Sequence, residues 1–443
     1  MILRILTGLE LPSLAIAPYR PLAMTKTHQS TPAIDPWLDF QALCRLGGRL
    51  SGTASEAGTQ VYLTQRLTAL STRYGGHFAS IPVEYMGWQA HTGRLESEAT
   101  DDTIPGQPLL YSPSTKPGGL KTKIVDLGRG TEADFRAKRD QIPGRIVLTR
   151  HEFMFGSDHI HRNRKYEWAL KYGAAGFLIA NQATQKGLVA GGLGLSGESA
   201  SIPAMGISHT AAEMLGGHEE ENARLVIETT TRPATTETLI YERAGETPEW
   251  VVLSAHLDGH SLAQSAIDNA TGVAAAIAST ESLLSTKTLQ RGIRLCLFSI
   301  EEWGLLASKH YLSELNKKDL ESIVLNVNLD SVAGADGLTA FYSDYPALRR
   351  FLKGCAETNQ IPLSLYGPLV PNSDHYNFAV AGIPAFRLLA GFEAPGSNMR
   401  YVLTEEDTID KVTPEQLNQA VEFTTAVMSG ACGSPTLLLR ESR

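Results

Sequence analysis

The stretch EWVVLSAHLDG at residues 249–259 decides the fold, because an uninterrupted apolar run of strand-forming residues ends there in polar side chains. The same pattern returns in GIRLCLFSI at 292–300, SIVLNVNL at 322–329 and PAFRLLA at 384–390. Continuous apolar runs are typical of strands that are buried on both faces of a parallel sheet. Helical segments of ten to twenty residues separate these runs. We therefore predict a three-layer α/β/α sandwich with a mainly parallel sheet.

Working outward from this region, the spacing of apolar residues predicts four parts of the chain. Residues 1–34 form an irregular tail, and 35–104 supply the first helices and a strand of the α/β domain. Residues 105–232 form an inserted β-rich domain, in which short strand-like runs such as GRIVLTR and AAGFLIAN are separated by glycines. Residues 233–432 complete the α/β domain.

The composition excludes several classes of protein. The 443 residues are 42% apolar and 19% charged, which is typical of a globular protein with a sizeable core. The net charge of −8 argues against a nucleic-acid partner. No stretch approaches the roughly 18 consecutive apolar residues of a membrane-spanning helix, so we expect no membrane partner. The oligomeric state stays open.

The N-terminus and the cysteines bear on the cellular location. The apolar start, MILRILTGLELPSLAIAPYRPLAM, is interrupted by Glu10 and Pro12, and Arg20 follows soon after. These interruptions are atypical of a secretory signal, although secretion stays an alternative. The four cysteines show no CxxC spacing and are too few for a disulfide framework. We therefore expect a reducing compartment and a cytoplasmic location.

Charged side chains follow three of the apolar runs directly. The first run ends at His256, the second leads into Glu301 and Glu302, and the third ends at Asp330. Ligands bind beyond the carboxyl ends of the strands in an open α/β sheet, so we expect these side chains to meet there. A further carboxylate, Asp268, begins the helix DNATGVAAAIASTESLL and suits a position facing the same crevice.

Several carboxylates beside one imidazole would repel one another unless cations lay between them. This cluster therefore favours a metal site over a metal-free acid–base pair. Mixed histidine and carboxylate ligation suits zinc best, with manganese and cobalt as alternatives.

Five ordered motifs carry a resemblance to a known family. HLDG, AIDNATG, LFSIEEWGLLASKHY, VNLDSVAG and NSDHYNFAVAGIPA resemble the co-catalytic zinc aminopeptidases, a group that includes glutamate carboxypeptidase II and glutaminyl cyclase. The resemblance covers about residues 235–430. The section at 105–232 is similar to the protease-associated domain often inserted in this family, through DLGRG, GAAGFLIAN and IPAMGIS. The resemblance implies a zinc-dependent exopeptidase, in the first place an aminopeptidase acting on peptides or small amides.

The resemblance also implies a role for each matching residue. It assigns His256 and Asp330 to one zinc ion, and Asp268 to a bridging position between two ions. It assigns Glu302 to the second ion and Glu301 to the general base. A base there would take a proton from metal-activated water and pass it to the leaving amine.

Two neighbouring features complete this implied site. Asp258, two residues after His256, would orient the imidazole, because metal-bound histidines nearly always have such a partner. The peptide bond between Asp268 and Asn269 would be cis, as the bridging geometry of the family implies.

One departure from the family concerns the second zinc ion. The family supplies a final histidine just before a Thr-x-x-Asp-Thr stretch, whereas YVLTEEDTIDKV places Leu403 at that position. The second ion therefore keeps only Asp268 and Glu302, so we expect one tightly bound zinc and a second ion that is weakly bound or absent. His375 is an alternative ligand, although a local structural role is also open.

Two groups of basic residues remain. Arg387 follows the last apolar run and suits a contact either with a substrate carboxylate or with a nearby acid. We interpret the cluster HRNRK, with Arg162, Arg164 and Lys165, and the nearby His159 and His161 as a solvated helix start, with contact to substrate as the alternative. The open alternatives are a one-metal carboxypeptidase-like or cyclase-like enzyme that uses Arg387, and a non-catalytic binding protein with the same fold.

Overall fold

The computed structural model describes most of the chain. The described residues are 34–97, 103–183, 185–194, 201–216, 222–286, 288–437 and 439–440. The predicted tail at 1–34 lies outside these ranges except for its last residue, Ile34. Among the helices within them, we find none with the length and apolar character needed to cross a membrane.

The described ranges contain eleven α-helices and three short helical turns. The helices are α1 Pro36–Leu46, α2 Ala54–Tyr74, α3 Glu132–Ala137, α4 Arg162–Lys171, α5 His209–Leu215, α6 Thr271–Thr286, α7 Leu306–Glu314, α8 Lys317–Ser322, α9 Pro346–Thr358, α10 His375–Val380 and α11 Pro414–Gly433. The turns are the π-helical Ala266–Ala270 and the 3₁₀-helical Asn398–Tyr401 and Ile409–Lys411.

The same ranges contain fourteen strands. They are β1 His77–Ser97, β2 Thr103–Pro105, β3 Gln107–Pro108, β4 Leu120–Asp126, β5 Ile146–Arg150, β6 Gly176–Ala180, β7 Ala204–Ile207, β8 Asn222–Arg243, β9 Trp250–His256, β10 Gly292–Phe298, β11 Ile323–Leu329, β12 Leu338–Tyr342, β13 Leu363–Tyr366 and β14 Ala385–Ala390.

A mostly parallel sheet lies at the centre of the α/β domain. Its strands run in the order β13-β12-β14-β11-β9-β10-β8. The four neighbours β14, β11, β9 and β10 are parallel, whereas β12 and β8 pair with them in the antiparallel sense. The strand order continues through β4-β5-β6-β7-β3 in the inserted section. The predicted mixed α/β architecture is confirmed.

Helices cover both faces of this sheet, and the alternation of side chains along β9 shows the layering. Val251 and Leu253 join one core cluster, together with apolar side chains of α1, α2, α6, α9 and α11. Val252 joins the other cluster, with Tyr311 from α7 and Phe378 from α10. Successive side chains of a strand point to opposite faces, so an apolar run is required where both faces are covered.

A long antiparallel ribbon joins the two sections of the chain. Strands β1 and β8 pair from His77 opposite Glu242 to Ser97 opposite Ala223. The predicted domain boundary between 232 and 233 lies within β8. The break in composition there does not interrupt the strand, because its backbone hydrogen bonds continue to β1. The domain bounds remain a prediction.

Candidate active site

Three parallel strands deliver polar side chains to one edge of the sheet. Strand β9 lies between β10 and β11, and both pairings are parallel. His256 is the last residue of β9, and Asp330 directly follows β11. Glu301 and Glu302 come just after β10. Because parallel strands end at a common edge, the apolar runs determine this convergence.

Asp268 reaches the same place from the turn that precedes α6. Its backbone is not helical, with φ −117° and ψ 89°. The N–H groups of Ile267 and Asp268 donate to the carboxylate of Asp407, at 2.7 and 3.3 Å. The buried guanidinium of Arg49 donates to the Ser265 carbonyl at 2.7 Å. These contacts position the turn that carries Asp268.

The peptide bond between Asp268 and Asn269 is cis. The Asn269 side chain then links this turn to β11. Its amide nitrogen donates to the Leu329 carbonyl at 2.9 Å, and its oxygen accepts from the Ser331 N–H at 3.1 Å. The turn is thereby held against the end of the strand that leads to Asp330.

His256, Asp268 and Asp330 form a group that suits a metal ion, since one donor atom of each lies within 4.8 Å of the others. His256 Nε2 is 3.1 Å from Asp268 Oδ1 and 3.6 Å from Asp330 Oδ1. Ligands of a tetrahedral zinc ion lie about 3.3 Å apart when the bonds are about 2.0–2.1 Å long. The three residues therefore fit zinc.

Asp258 lies behind this group and holds it in place. Its Oδ1 is 3.5 Å from His256 Nδ1, on the side of the ring away from Asp268. The same carboxylate accepts hydrogen bonds from the N–H groups of Glu301 and Glu302, at 3.1 and 3.3 Å. Asp258 thus connects the imidazole to the segment that carries both glutamates.

The carboxylates of the site lie close enough together to shift the pKa values of their neighbours. Burial raises the pKa of Glu301 well above its ordinary value, against the charge of His256. Burial and the Asp268 charge raise the pKa of Glu302 to about 8. Although burial opposes it, the surrounding carboxylates raise the pKa of His256 well above its ordinary value. A dication would relieve this repulsion.

Arg387 points into the same group. Its Nη2 lies 3.0 Å from Asp330 Oδ1, and its Nη1 donates to the Asn372 carbonyl at 3.0 Å. Burial raises the pKa of Asp330, but Arg387 and His256 outweigh it and lower that pKa below its ordinary value. Of the two predicted contacts of Arg387, the structure contains the one with an acid.

The second metal position contains fewer donors. Glu302 Oε1 is buried and has no hydrogen-bond partner among the described residues. Asp268 is the other carboxylate there, and Leu403 lines the same cleft with a side chain that cannot bind a metal. Two carboxylates without an imidazole do not fit a tightly held zinc ion.

His375 does not join the three-residue group. It begins α10 and is fully buried, and neither of its ring nitrogens has a hydrogen-bond partner among the described residues. Burial and the charge of Arg387 lower the pKa of His375 to about 3, so the imidazole is neutral. Its assignment as a ligand remains an untested prediction.

The inserted section forms one wall of a cleft of about 460 Å³ over the site. Its contribution includes Met154, His159 and Arg162, which face Glu302 and Leu403 of the α/β domain. The interpretation of the HRNRK cluster as solvated is wrong for Arg162, which is only 8% exposed. It is also wrong for Lys165, which is fully buried and pairs with Glu152.

Sequence reasoning missed three positioning contacts. Arg49 carried no motif, and three of its four backbone acceptors lie close to it only in the folded chain. Asp407 stands in the Thr-x-x-Asp-Thr stretch, so a signal for it was present. The sequence did not distinguish Arg162 from the other basic residues of its cluster, because Arg164, two residues further along α4, is exposed.

Comparison with known proteins identifies the class of this fold and site. Residues 238–428 match the model of peptidase family M28, and residues 108–215 match the PA domain. The α/β segment at 238–428 is thus similar to peptidase family M28, and the section that precedes it is similar to a PA domain. This confirms the resemblance to zinc aminopeptidases and the assignment to the metallopeptidases.

Particular relatives extend over much of the chain. Aminopeptidase YwaD of Bacillus subtilis is 25% identical over 393 residues, which cover 86% of this chain and 81% of the relative. A probable leucine aminopeptidase 2 of Aspergillus fumigatus is 29% identical over 306 residues, covering 65% of this chain and 58% of the relative.

Solved structures show the same fold. The zinc aminopeptidase BSAP of Bacillus subtilis superposes with a TM-score of 0.72 at 23% identity, over 91% of this chain and 96% of its own. A peptidase M28 precursor of Shewanella amazonensis has a TM-score of 0.75 at 22% identity, over 92% of this chain and 94% of its own.

Proposed function

We propose that this protein is a zinc-dependent aminopeptidase that hydrolyses peptide or small amide bonds. The observation that carries the proposal is the group of His256, Asp268 and Asp330 at the carboxyl edge of the sheet, with Glu301 beside it. Zinc held there would activate water for attack on a carbonyl carbon. The relatives named as aminopeptidases support the reaction type.

Glu301 is the general base in this proposal. Burial raises the pKa of Glu301 well above its ordinary value, so its carboxylate takes up a proton more readily than an exposed glutamate does. Its backbone N–H is fixed by the Asp258 carboxylate, which also contacts the ring of His256. The base and the imidazole ligand therefore share one support, and Asp258 acts as a positioning residue.

We further propose that one zinc ion is tightly bound and that a second is weak or absent. Three donors including an imidazole support the first site, whereas only Asp268 and Glu302 are available at the second. A site dominated by carboxylate oxygen favours harder ions, so manganese can replace zinc there. Manganese and cobalt also remain candidates for the first site.

The contacts of Arg387 weigh against the carboxypeptidase-like alternative. That alternative needs the guanidinium to hold a substrate carboxylate. Arg387 already contacts Asp330 and the Asn372 carbonyl. We propose that Arg387 stabilises the liganding carboxylate instead.

A cytoplasmic location is part of the proposal. The four cysteines are all free: Cys44, Cys296, Cys355 and Cys432. Three of them are buried, as is typical of structural thiols. Secretion is the alternative, and fractionation of the native cells distinguishes the two.

The test measures metal and turnover on the same purified protein. Metal analysis after dialysis should give one zinc ion per chain. The protein should hydrolyse unblocked aminoacyl amides and spare N-acetylated amides of the same residue. Hydrolysis of C-terminal residues from blocked peptides in their place would contradict the aminopeptidase assignment, and failure to bind any metal would contradict the metallopeptidase site.

A further inference from the structure

The guanidinium of Arg162 is a buried positive charge that lines the cleft together with Glu302 and Leu403, without forming an ion pair within 4.0 Å among the described residues. Arg162 begins α4 in the inserted section and is 8% exposed. Its Nε donates to the Gly192 carbonyl at 2.6 Å, and its Nη1 contacts the sulfur of Met154 at 3.7 Å. Its Nη2 has no hydrogen-bond partner among the described residues. The Arg162 side chain lines the cleft. One strong donor is therefore available to a bound molecule.

The backbone beside this guanidinium is shaped to receive it. Gly191 has φ +128°, and a Cβ added there would lie 2.3 Å from Arg162 Cζ. On the next residue, a Cβ on Gly192 would lie 3.2 Å from the Glu302 carbonyl oxygen. The glycine pair thus leaves room for the guanidinium beside the segment that carries Glu302, and a Cβ at position 191 would require the guanidinium to shift.

The same backbone segment contacts Leu403. The Ala190 N–H donates to the Leu403 carbonyl at 2.8 Å, and Val189 forms a β-bridge with Thr404. Residues 189–192 therefore contact both Leu403, which stands where the family has a histidine, and the guanidinium of Arg162. The missing ligand and the added cation belong to one local arrangement.

The charges around Arg162 are those that a second metal ion would neutralise. Burial lowers the pKa of Arg162, and the carboxylates of Glu302, Glu301 and Asp268 oppose this shift. A guanidinium stays protonated in proteins, so the charge is permanent. Unlike a metal ion, it cannot be lost on dilution or chelation.

We propose that Arg162 takes the place of the second metal ion as a fixed positive charge in the cleft, compensating the charges of Glu302 and Asp268 without direct contact in the unliganded state and donating from Nη2 to the scissile carbonyl oxygen as negative charge builds on it. This inference rests on the proposed peptidase function. Fixed donors aimed at a developing oxyanion stabilise the transition state more than the ground state. Since two cations at one small site repel each other, Arg162 also opposes binding of a second dication.

Metal stoichiometry provides the first test, independent of activity. Wild-type protein should retain one zinc ion. Leu403→His should also retain one, because the guanidinium of Arg162 still lies in the cleft with the restored ligand. The double variant Arg162→Met/Leu403→His should retain two. Arg136→Met/Leu403→His is the matched control, since Arg136 is an exposed arginine of the same section, and it should retain one. Tight binding of two ions by Leu403→His alone, or by the wild type, would overturn the proposal.

Kinetics provide the second test. Arg162→Met should lower kcat by about 10²–10³ with little change in KM, the usual effect of losing one oxyanion donor. Arg162→Lys should recover part of the loss, and Arg136→Met should match the wild type. Arg162→Gln, which can still donate to the Gly192 carbonyl, serves as the uncharged variant if the methionine protein fails to fold. An unchanged kcat in a folded, uncharged variant would contradict the proposal.

The proposed function and the role of Arg162 can fail separately. If the wild type neither binds zinc nor hydrolyses amides, the proposed function is wrong. If the wild type binds zinc and turns over, but the Arg162 variants do the same with unchanged stoichiometry and kcat, only the role of Arg162 is wrong.

Discussion

Arg387 Nη2 lies 3.0 Å from Asp330 Oδ1, and both side chains are buried. The same carboxylate oxygen lies 3.6 Å from His256 Nε2, so it faces a guanidinium and a metal-binding imidazole together. A single carboxylate can accept from several donors at once. Arg387 therefore supplies positive charge to Asp330 before any metal binds.

This relationship predicts a metal-dependent stability effect. Arg387→Met should strongly destabilise the metal-free protein, because breaking a buried pair leaves an unpaired charge at a cost of about 3–5 kcal/mol. The zinc-loaded protein should lose less stability on the same substitution, since the metal ion compensates the negative charge of Asp330. Chemical denaturation of both forms measures the difference. Arg349→Met, on the exposed face of α9, is the control. Equal losses with and without zinc would contradict the idea.

The role of Glu301 as a base predicts separation of metal binding from turnover. Glu301→Gln should keep its zinc and lose activity by about 10²–10⁴, because proton transfer from water becomes slow. Glu314→Gln, exposed on α7, should behave like the wild type. Metal analysis and steady-state kinetics on both variants check this, and near-normal kcat in Glu301→Gln would assign the base elsewhere.

The position of Asp258 predicts an effect on zinc affinity. Asp258→Asn should weaken zinc binding by about 10–100-fold, as is usual when the partner of a liganding histidine is removed. It should also lower kcat, because the same carboxylate accepts from the Glu301 N–H. Competition with a fluorescent chelator measures the affinity. Asp344→Asn, an exposed control, should leave it unchanged, and an unaltered affinity in Asp258→Asn would remove the positioning role.

The buried carboxyl of Asp374 predicts a pH dependence of the metal-free protein. Burial raises the pKa of Asp374 to about 7, with the charges of Asp258 and Asp330 adding to the shift and His256 opposing it. A carboxyl with a higher pKa in the folded state binds its proton more tightly there. Its contribution to the free energy of unfolding is therefore full below its ordinary pKa of 3.8 and is lost as pH rises through about 7.

Asp374→Asn should remove this component. The stability advantage of the variant over the wild type should grow as the pH rises from about 4 to about 7 and then level off, because the native aspartate is forced to ionise while buried. Urea denaturation of chelator-treated protein across this range measures it. An equal stability difference between the two proteins at every pH would contradict the prediction.

Much of the site could be predicted because its residues occupy the ends of apolar runs. His256, Asp330 and Glu301 follow three separate strands, and parallel pairing brings such strand ends together whatever the loops do. Asp268 could be found as well from the helical pattern that follows it, although it lies in a non-helical turn three residues before α6 and not at the start of the helix as predicted. The contacts of Arg387 were left as two alternatives, because nothing local selects between a substrate and a neighbouring acid.

The tertiary structure alone decided which distant charges compensate these carboxylates. Arg162 and Arg164 stand two residues apart in the same basic cluster, yet one is buried over the site and the other is exposed. The apolar pattern of a single segment predicts where a strand ends, because a strand buried on both faces must be apolar along its length. The environment of Arg162 depends on how the inserted section packs across the cleft, and residues 189–192 establish that contact with Leu403 only in the folded chain.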